Sequence, residues 1–160
     1  DILIDDVSIT KYKRSYLRKH IGYVTQDVTL FSGSLRHNLT TDESLTDEDI
    51  ISASETTGLG AVLKKSQRDL NLQIINNGEN LSVGEKQLIS LTRILLNNPS
   101  ILIMDEATSN IDREMEIIIQ KAVEKIMKGR TCLFIAHRLE TLSNVDKKLI
   151  FNKGHCEESK

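Results

Sequence analysis

The sequence predicts an α/β protein with a mainly parallel sheet covered by helices, and three observations lead to it. Short β-branched runs alternate with longer stretches of helical periodicity, the pattern of successive βαβ units. The runs at 101 to 104 (ILIM) and 131 to 135 (TCLFI) are apolar at nearly every position, as expected of strands buried on both faces. The chain has 160 residues, 39% hydrophobic and 28% charged, an ordinary globular composition with enough length for one core.

Taken in order, strands are expected at 2 to 4 (ILI), 21 to 24 (IGYV), 101 to 104, 131 to 135 and 149 to 152 (LIFN). The stretch from Thr40 to Ser66 reads as shorter helices and loops, a helical insertion carrying Gly58 and Gly60. Ser82 opens a helix whose apolar residues Leu88, Leu91, Ile94 and Leu95 recur three and four apart, ending near Asn97 before Pro99. A second helix is expected from about Arg113 to Lys128, closed by Gly129, with Ile117, Ile118, Val123 and Ile126 as its core stripe. No internal repeat or Pro/Ser-rich linker interrupts this order.

Several function classes are disfavoured by composition. A formal net charge of −2 gives no global attraction to nucleic acid or anionic lipid. No apolar stretch approaches the roughly 18 residues that span a bilayer, so no direct membrane insertion is expected. The start, Asp1 to Asp6, lacks the regions of a signal peptide and has no initiator Met, as a piece of a longer chain would. Cys132 and Cys156 are too few for a disulfide framework and suit a reducing compartment.

Two constellations carry chemistry. Asp105 and Glu106 follow the strand 101 to 104 directly, and ligands of open α/β sheets bind beyond the carboxyl ends of strands. Side chains alternate along a strand, so one acid can serve a Mg²⁺ shell while the other faces an attacking water. A polar strand end with a helix cap is the plainer alternative. The second constellation runs from Gly78 through Glu79, Asn80, Leu81, Ser82, Val83, Gly84, Glu85 and Lys86 to Gln87. Ser82 is a natural N-cap with Glu85 as its capping-box partner, and N–H groups at such a helix start suit a phosphate. Capping alone leaves the two nearby glycines unexplained.

These residues resemble the ATP-binding cassette (ABC) ATPases, whose signature is Leu-Ser-Gly-Gly-Gln and whose Walker B strand ends in Asp-Glu. Leu81-Ser82-Val83-Gly84-Glu85 is similar to the signature, with Val83 for its first glycine and Glu85 for its glutamine. Gln26, after IGYV, resembles the Q-loop glutamine; Ser109-Asn110-Ile111-Asp112 resembles the D-loop; His137 resembles the switch histidine. Five motifs stand in the family's order over nearly the whole chain. Leu30-Phe31-Ser32-Gly33-Ser34-Leu35-Arg36, Gly78-Glu79-Asn80 and Ala136-His137-Arg138-Leu139 are similar to exporter-type cassettes, especially the second nucleotide-binding domain of the multidrug-resistance-associated subfamily.

The resemblance implies a P-loop NTPase (RecA-like) parallel-sheet core, in portions 1–39 and 98–160, with a helical subdomain over 40–97 that carries the signature. It implies ATP and Mg²⁺ as cofactors and a second nucleotide-binding domain packed head to tail. Asp105 would hold Mg²⁺ with Gln26, Glu106 would polarise the attacking water, and His137 would contact the γ-phosphate. Leu81 to Glu85, with Ser109 and Asp112, would face the nucleotide across the dimer. Transmembrane domains would contact the region around Gln26 and Phe31, placing the domain at the cytoplasmic face of a membrane.

The Walker A pattern Gly-x-x-x-x-Gly-Lys-Ser/Thr does not occur in these 160 residues. By resemblance the chain begins after the missing strand, loop and helix, so this stretch alone is expected to be inactive. Chromosome-maintenance and DNA-repair ATPases of the same family are a competing class, but they insert long heptad arms where this chain has a short helical insertion. A hydrolysis-poor regulatory cassette is a third, opposed by the presence of Glu106 and His137. Lys11, Lys13, Arg14, Arg18 and Lys19, interleaved with Tyr12 and Tyr16, read as a solvated face rather than a nucleic-acid surface. His155-Cys156-Glu157 reads as a terminal strand or tail, without a second ligand cluster at zinc spacing. His20 and His37 read as surface residues.

Overall fold

The computed structural model describes residues 1–25, 27–105, 111–135, 145–152 and 154–159. The chain opens with a hairpin, β1 (Leu3–Ile4) against β2 (Val7–Ser8), turned by Asp5 and Asp6 at φ 48° and 62°. Two consecutive left-handed residues are what a tight hairpin requires, and Asp is among the few side chains that tolerate them. A 3₁₀ turn at Ile9–Lys11 leads to α1 (Arg14–His20), which feeds β3 (Ile21–Val24). The basic run with its tyrosines spans the end of the 3₁₀ turn and α1, neither with a buried residue, and Tyr16 stacks on Tyr12 and His20 along this face.

A helical stretch follows. β4 (Gly33–Ser34) passes into α2 (Leu35–Leu39), then α3 (Asp47–Thr57) and α4 (Leu59–Lys65), before β5 (Gln73–Ile74) returns antiparallel to β4. Thr46 and Asp49 form a reciprocal capping box on α3, and Gly58 ends that helix at φ 86°. Helix α5 (Val83–Asn97) then crosses to the sheet and stops at left-handed Asn98, just before Pro99. Next come β6 (Ile101–Asp105), α6 (Arg113–Met127) and β7 (Thr131–Ile135).

The parallel sheet has the order β3-β6-β7, with Ile21 beside Ile101 and Ile101 beside Thr131. Gly22 lets α5 approach it closely: a Cβ there would lie 2.8 Å from Ile94 Cδ1 and 2.7 Å from Pro99 Cγ. One core runs from the sheet through the helices, joining Val24, Leu102 and Met104 to Leu35, Ile50, Leu59, Leu88, Leu91, Ile119 and Ile126.

The first and last strands form where expected, but among the described residues they lie outside the parallel sheet: β1 pairs with β2, and β8 (Lys148–Asn152) pairs antiparallel with β9 (His155–Ser159). Both are hairpins, closed by local turns that satisfy their backbone groups without a crossover. Nor are β6 and β7 buried on both faces. Leu102 and Met104 are buried and Cys132 and Phe134 lean on the core, but Leu133 and Ile135 are exposed, as is Tyr23 on β3. Among the described residues only one face of the sheet is covered. Of the expected α6 stripe, Ile126 is buried and Ile118 and Val123 pack against the core, but Ile117 is exposed, and Ile119 and Ala122 are buried in addition. Three apolar residues in succession, Ile117 to Ile119, blur which of them face the core.

Candidate functional site

The turn before α5, which the resemblance assigns to the signature, is assembled mainly by short-range bonds. After β5 the chain takes left-handed conformations at Asn76, Asn77 and Gly78, with φ of 44°, 58° and 80°. Asn tolerates this region better than most side chains. Asn80 ties the turn together, its Nδ2 donating to Gln73 O at 2.8 Å and its Oδ1 accepting from Ile75 N at 3.2 Å. Leu81 is buried and anchors the turn to the core. Ser82 is the N-cap of α5: its Oγ accepts from Glu85 N at 3.2 Å, while Glu85 Oε2 accepts from Ser82 N at 2.7 Å.

Glu85 stands where the signature has glutamine, and its charge is compensated. Arg68 Nη1 lies 3.0 Å from Glu85 Oε1, in a pair largely withdrawn from solvent on the Glu85 side. The carboxylate is thus bound to the capping box and a guanidinium, and the exposed start of α5 presents the Ser82 hydroxyl. By helix geometry the N–H groups of Val83 and Gly84 have no acceptor within the helix. Ser82 and Val83 are exposed at this helix start, with the positive end of the helix dipole behind them, while Gly84 is buried.

Gly84 is fixed by packing. A Cβ there would lie 2.2 Å from Met115 Cγ on α6, so the two helices approach as closely as they do because this residue has no side chain. Val83 is exposed and helical, which explains why a branched residue is tolerated in place of the signature's first glycine. Asp112 is the N-cap of α6, its Oδ1 accepting from Met115 N at 3.0 Å. The two helix starts assigned by resemblance to one nucleotide-facing surface therefore share Met115 as a packing point.

Asp105 ends β6, half-buried, and its Oδ2 accepts from Tyr23 OH at 3.4 Å across the neighbouring strand. It offers a hard oxygen at the carboxyl end of a parallel strand, and Mg²⁺ in nucleotide sites commonly takes one or two carboxylates with substrate phosphates and waters. Its chemistry suits that ion, while no cluster of three potential ligands occurs among the described residues. Gln26, Glu106, Ser109 and His137 lie outside the described residues.

A second feature lies beside α5. The irregular stretch 27–32 passes a cavity of ≈ 530 Å³ whose wall includes Thr25, Val28, Thr29, Ser90, Arg93 and Ile94. Three successive residues there are held by side chains. Arg93 Nη1 donates to Thr29 O at 2.8 Å, Leu30 N to Asn77 Oδ1 at 2.8 Å, and Phe31 N to Asn38 Oδ1 at 2.8 Å. Asn38, buried, also donates from Nδ2 to Phe31 O at 2.8 Å and Ser34 O at 3.1 Å. Leu30 is buried and Phe31 is 64% exposed.

Sequence reasoning missed Arg68, Asn38, Asn77, Arg93 and Met115. Arg68, Asn77, Arg93 and Met115 act across long sequence separations and Asn38 through irregular backbone, neither of which periodicity reports. The signal that could have found Arg93 is a charged residue on the apolar side of α5, one position before Ile94.

A family model described as ABC transporter matches residues 1–109. The chain is 46% identical over 159 residues to a Bacillus subtilis protein named "Probable multidrug resistance ABC transporter ATP-binding/permease protein YheH", covering 99% of this chain and 24% of that protein. It is 43% identical over 159 residues to the B. subtilis "Uncharacterized ABC transporter ATP-binding protein YwjA", covering 99% of this chain and 28% of that one. It is 39% identical over 157 residues to "ABC transporter C family member 9" of Arabidopsis thaliana, covering 98% of this chain and 10% of that protein. The chain thus spans about a quarter or less of the length of most of these relatives. With a parallel α/β sheet, a signature-like capped helix and a family match over its first 109 residues, the chain belongs to the ABC transporter family.

Proposed function

We propose that this chain is part of the ATP-binding and ATP-hydrolysing domain of an exporter-type ABC transporter, most like the second nucleotide-binding domain of the multidrug-resistance-associated subfamily. The observation that carries the export reading is the 46% identity, over nearly the whole chain, to a relative named for multidrug resistance and for both ATP-binding and permease functions. The likeness to a plant C family member supports the subfamily.

Mg·ATP, when bound, supplies the transferable phosphoryl group and the charge that draws two such domains together. Asp105 would hold the metal through its water shell, with Gln26 reaching the same shell. Glu106 would orient the attacking water and accept its proton, and His137 would hydrogen-bond the γ-phosphate. From a second domain packed head to tail, the Ser82 hydroxyl and the N–H groups of Val83 and Gly84 would close over that phosphate, with Ser109 and Asp112 at the edge of the interface. Arg68 and the capping box bind both Glu85 carboxylate oxygens, which compensates the charge of this residue beside the helix start. The loop carrying Phe31 and the adjoining cavity would receive the transmembrane part at the cytoplasmic side of the membrane. Among the described residues no helix is long and apolar enough to cross a membrane, so that part would come from elsewhere in the protein.

The trans assignment is tested in the full-length protein with Ser82→Trp. Nucleotide photolabelling at the altered domain's own site is expected to persist, while ATP turnover and closure of the dimer are lost. Loss of labelling at that same site would remove the signature turn from its trans role.

A further inference from the structure

The stretch 27–32 has no regular secondary structure, so its backbone groups are satisfied by side chains from other elements. Arg93 is the unusual member of that set. Its guanidinium donates to Thr29 O, to Asn38 O and, at 3.2 Å, to Asn38 Oδ1. Every acceptor described for it is a neutral oxygen, although burial of a cation is costly without compensation, and here burial lowers the arginine's pKa. A planar fork that reaches three oxygens on two segments is a shape only arginine provides. It fixes Asn38, and Asn38 in turn both accepts from Phe31 N and donates to Phe31 O.

Side-chain direction follows from this arrangement. Leu30 points into the core, where a Cβ on Gly78 would lie 2.6 Å from its Cδ1, and the next residue, Phe31, is thereby turned to solvent. A large aromatic ring left 64% exposed gains nothing from folding unless something else covers it. Arg93 also lines the cavity beside the loop, so one residue sets both the cavity wall and the ring's presentation.

We propose that Arg93, acting through Asn38, is a positioning residue that presents Phe31 to the transmembrane part of the transporter. The inference rests on the docking reading given above. It assigns to α5 two jobs at opposite ends: its first turn carries Ser82 and Gly84, and its third turn holds the docking loop.

The test uses the full-length protein in lipid nanodiscs and two independent readouts. Hydrogen exchange of peptides covering residues 28–32 is followed in the unaltered protein, in Arg93→Lys and in Asn38→Ala. Benzoylphenylalanine placed at position 31 is photo-cross-linked in the same three backgrounds. Arg93→Lys keeps the charge but loses the fork, so exchange in 28–32 is expected to accelerate on the order of tenfold, with amides of α5 and β6 within about twofold of the unaltered protein. Cross-linking to the transmembrane part should fall about fivefold or more, and combining Arg93→Lys with Asn38→Ala should be no worse than Asn38→Ala alone, as for residues acting in series. Unchanged exchange and cross-linking in Arg93→Lys would overturn the proposal. Protection lost equally across α5 and β6 would also overturn it, by making Arg93 a general stabiliser. If position 31 of the unaltered background never cross-links to the transmembrane part, the docking reading itself fails, whatever the exchange data show.

Discussion

The signature turn and the sheet's carboxyl end hold the two halves of the expected chemistry, and they are built in opposite ways. The turn is densely bonded: Asn80 ties Gln73 to Ile75, Ser82 and Glu85 cap each other, Arg68 pairs with Glu85, and Leu81 and Gly84 lock it onto the core. Among the described residues Asp105 accepts one long side-chain hydrogen bond, from Tyr23, and it sits on a sheet whose outer face exposes Tyr23, Leu133 and Ile135. A recognition surface that acts on another subunit's nucleotide gains from being rigid beforehand, since ordering it on binding would cost affinity. A carboxylate that serves a hydrated metal needs room for water and ligand.

The largest effect should come from the sheet end. In the full-length protein Glu106→Gln is expected to lower ATP turnover by about a thousandfold, roughly 4 kcal/mol, because it removes the base while keeping its shape. Nucleotide binding and thermal stability should be nearly unchanged, since glutamine keeps the size of the side chain and removes only its charge. Hydrolysis at the original rate would take Glu106 out of the proposed mechanism. The contrast would also weaken if the same substitution lowered the melting temperature as a core deletion does.

Packing gives the next test. Leu88→Ala removes a fully buried side chain from the middle of α5 and should cost about 2–5 kcal/mol, whereas Leu133→Ala on the open face should cost less than about 1 kcal/mol. Chemical denaturation of the 160-residue chain would measure both. Equal losses would mean that the outer face of β7 is covered in solution.

Gly84→Ala probes the turn itself. The added methyl meets Met115, so a loss of about 1–3 kcal/mol is expected from overpacking, and Met115→Ala in the same chain should recover most of it. Failure of that rescue would locate the requirement for glycine in the nucleotide-facing surface instead of the α5–α6 contact.

The contrast also explains which features the sequence made legible. Helix α5 could be read to within a residue because local signals agree: Ser82 and Glu85 at the start, Leu88, Leu91 and Ile94 along one side, and Asn98 before Pro99 at the end. The central strands were legible as apolar runs, but an apolar run reports that a residue can be buried, and Leu133 and Ile135 are not. Burial depends on what covers the face, which no run of five residues encodes. The charge compensation at Glu85 was equally out of reach, because Arg68 is 17 positions away and joined to it only by the fold. Gly84 was visible as a signature glycine, but not its packing reason, Met115.

The two cysteines sharpen the comparison at the smallest scale. Cys132 is on the covered face of β7, partly buried against the core, and burial raises its thiol pKa, with Arg130 opposing this more weakly. Cys156 is exposed on β9. The thiolate is the reactive form, so a raised pKa leaves less of it at any pH below that value, and alkylation of Cys132 should need a higher pH for the same rate. In the 160-residue chain, iodoacetamide at pH 8 is therefore expected to modify Cys156 first and Cys132 roughly tenfold more slowly, a difference that burial and thiolate fraction supply together. A cysteine introduced by Leu133→Cys, one residue from Cys132 but on the opposite face, should react nearly as fast as Cys156. Repeating the Leu133→Cys labelling in the full-length protein asks whether that face stays open there: protection would show that it becomes covered in the longer chain. Rapid labelling in both would make the exposed face of β7 a property of the whole protein.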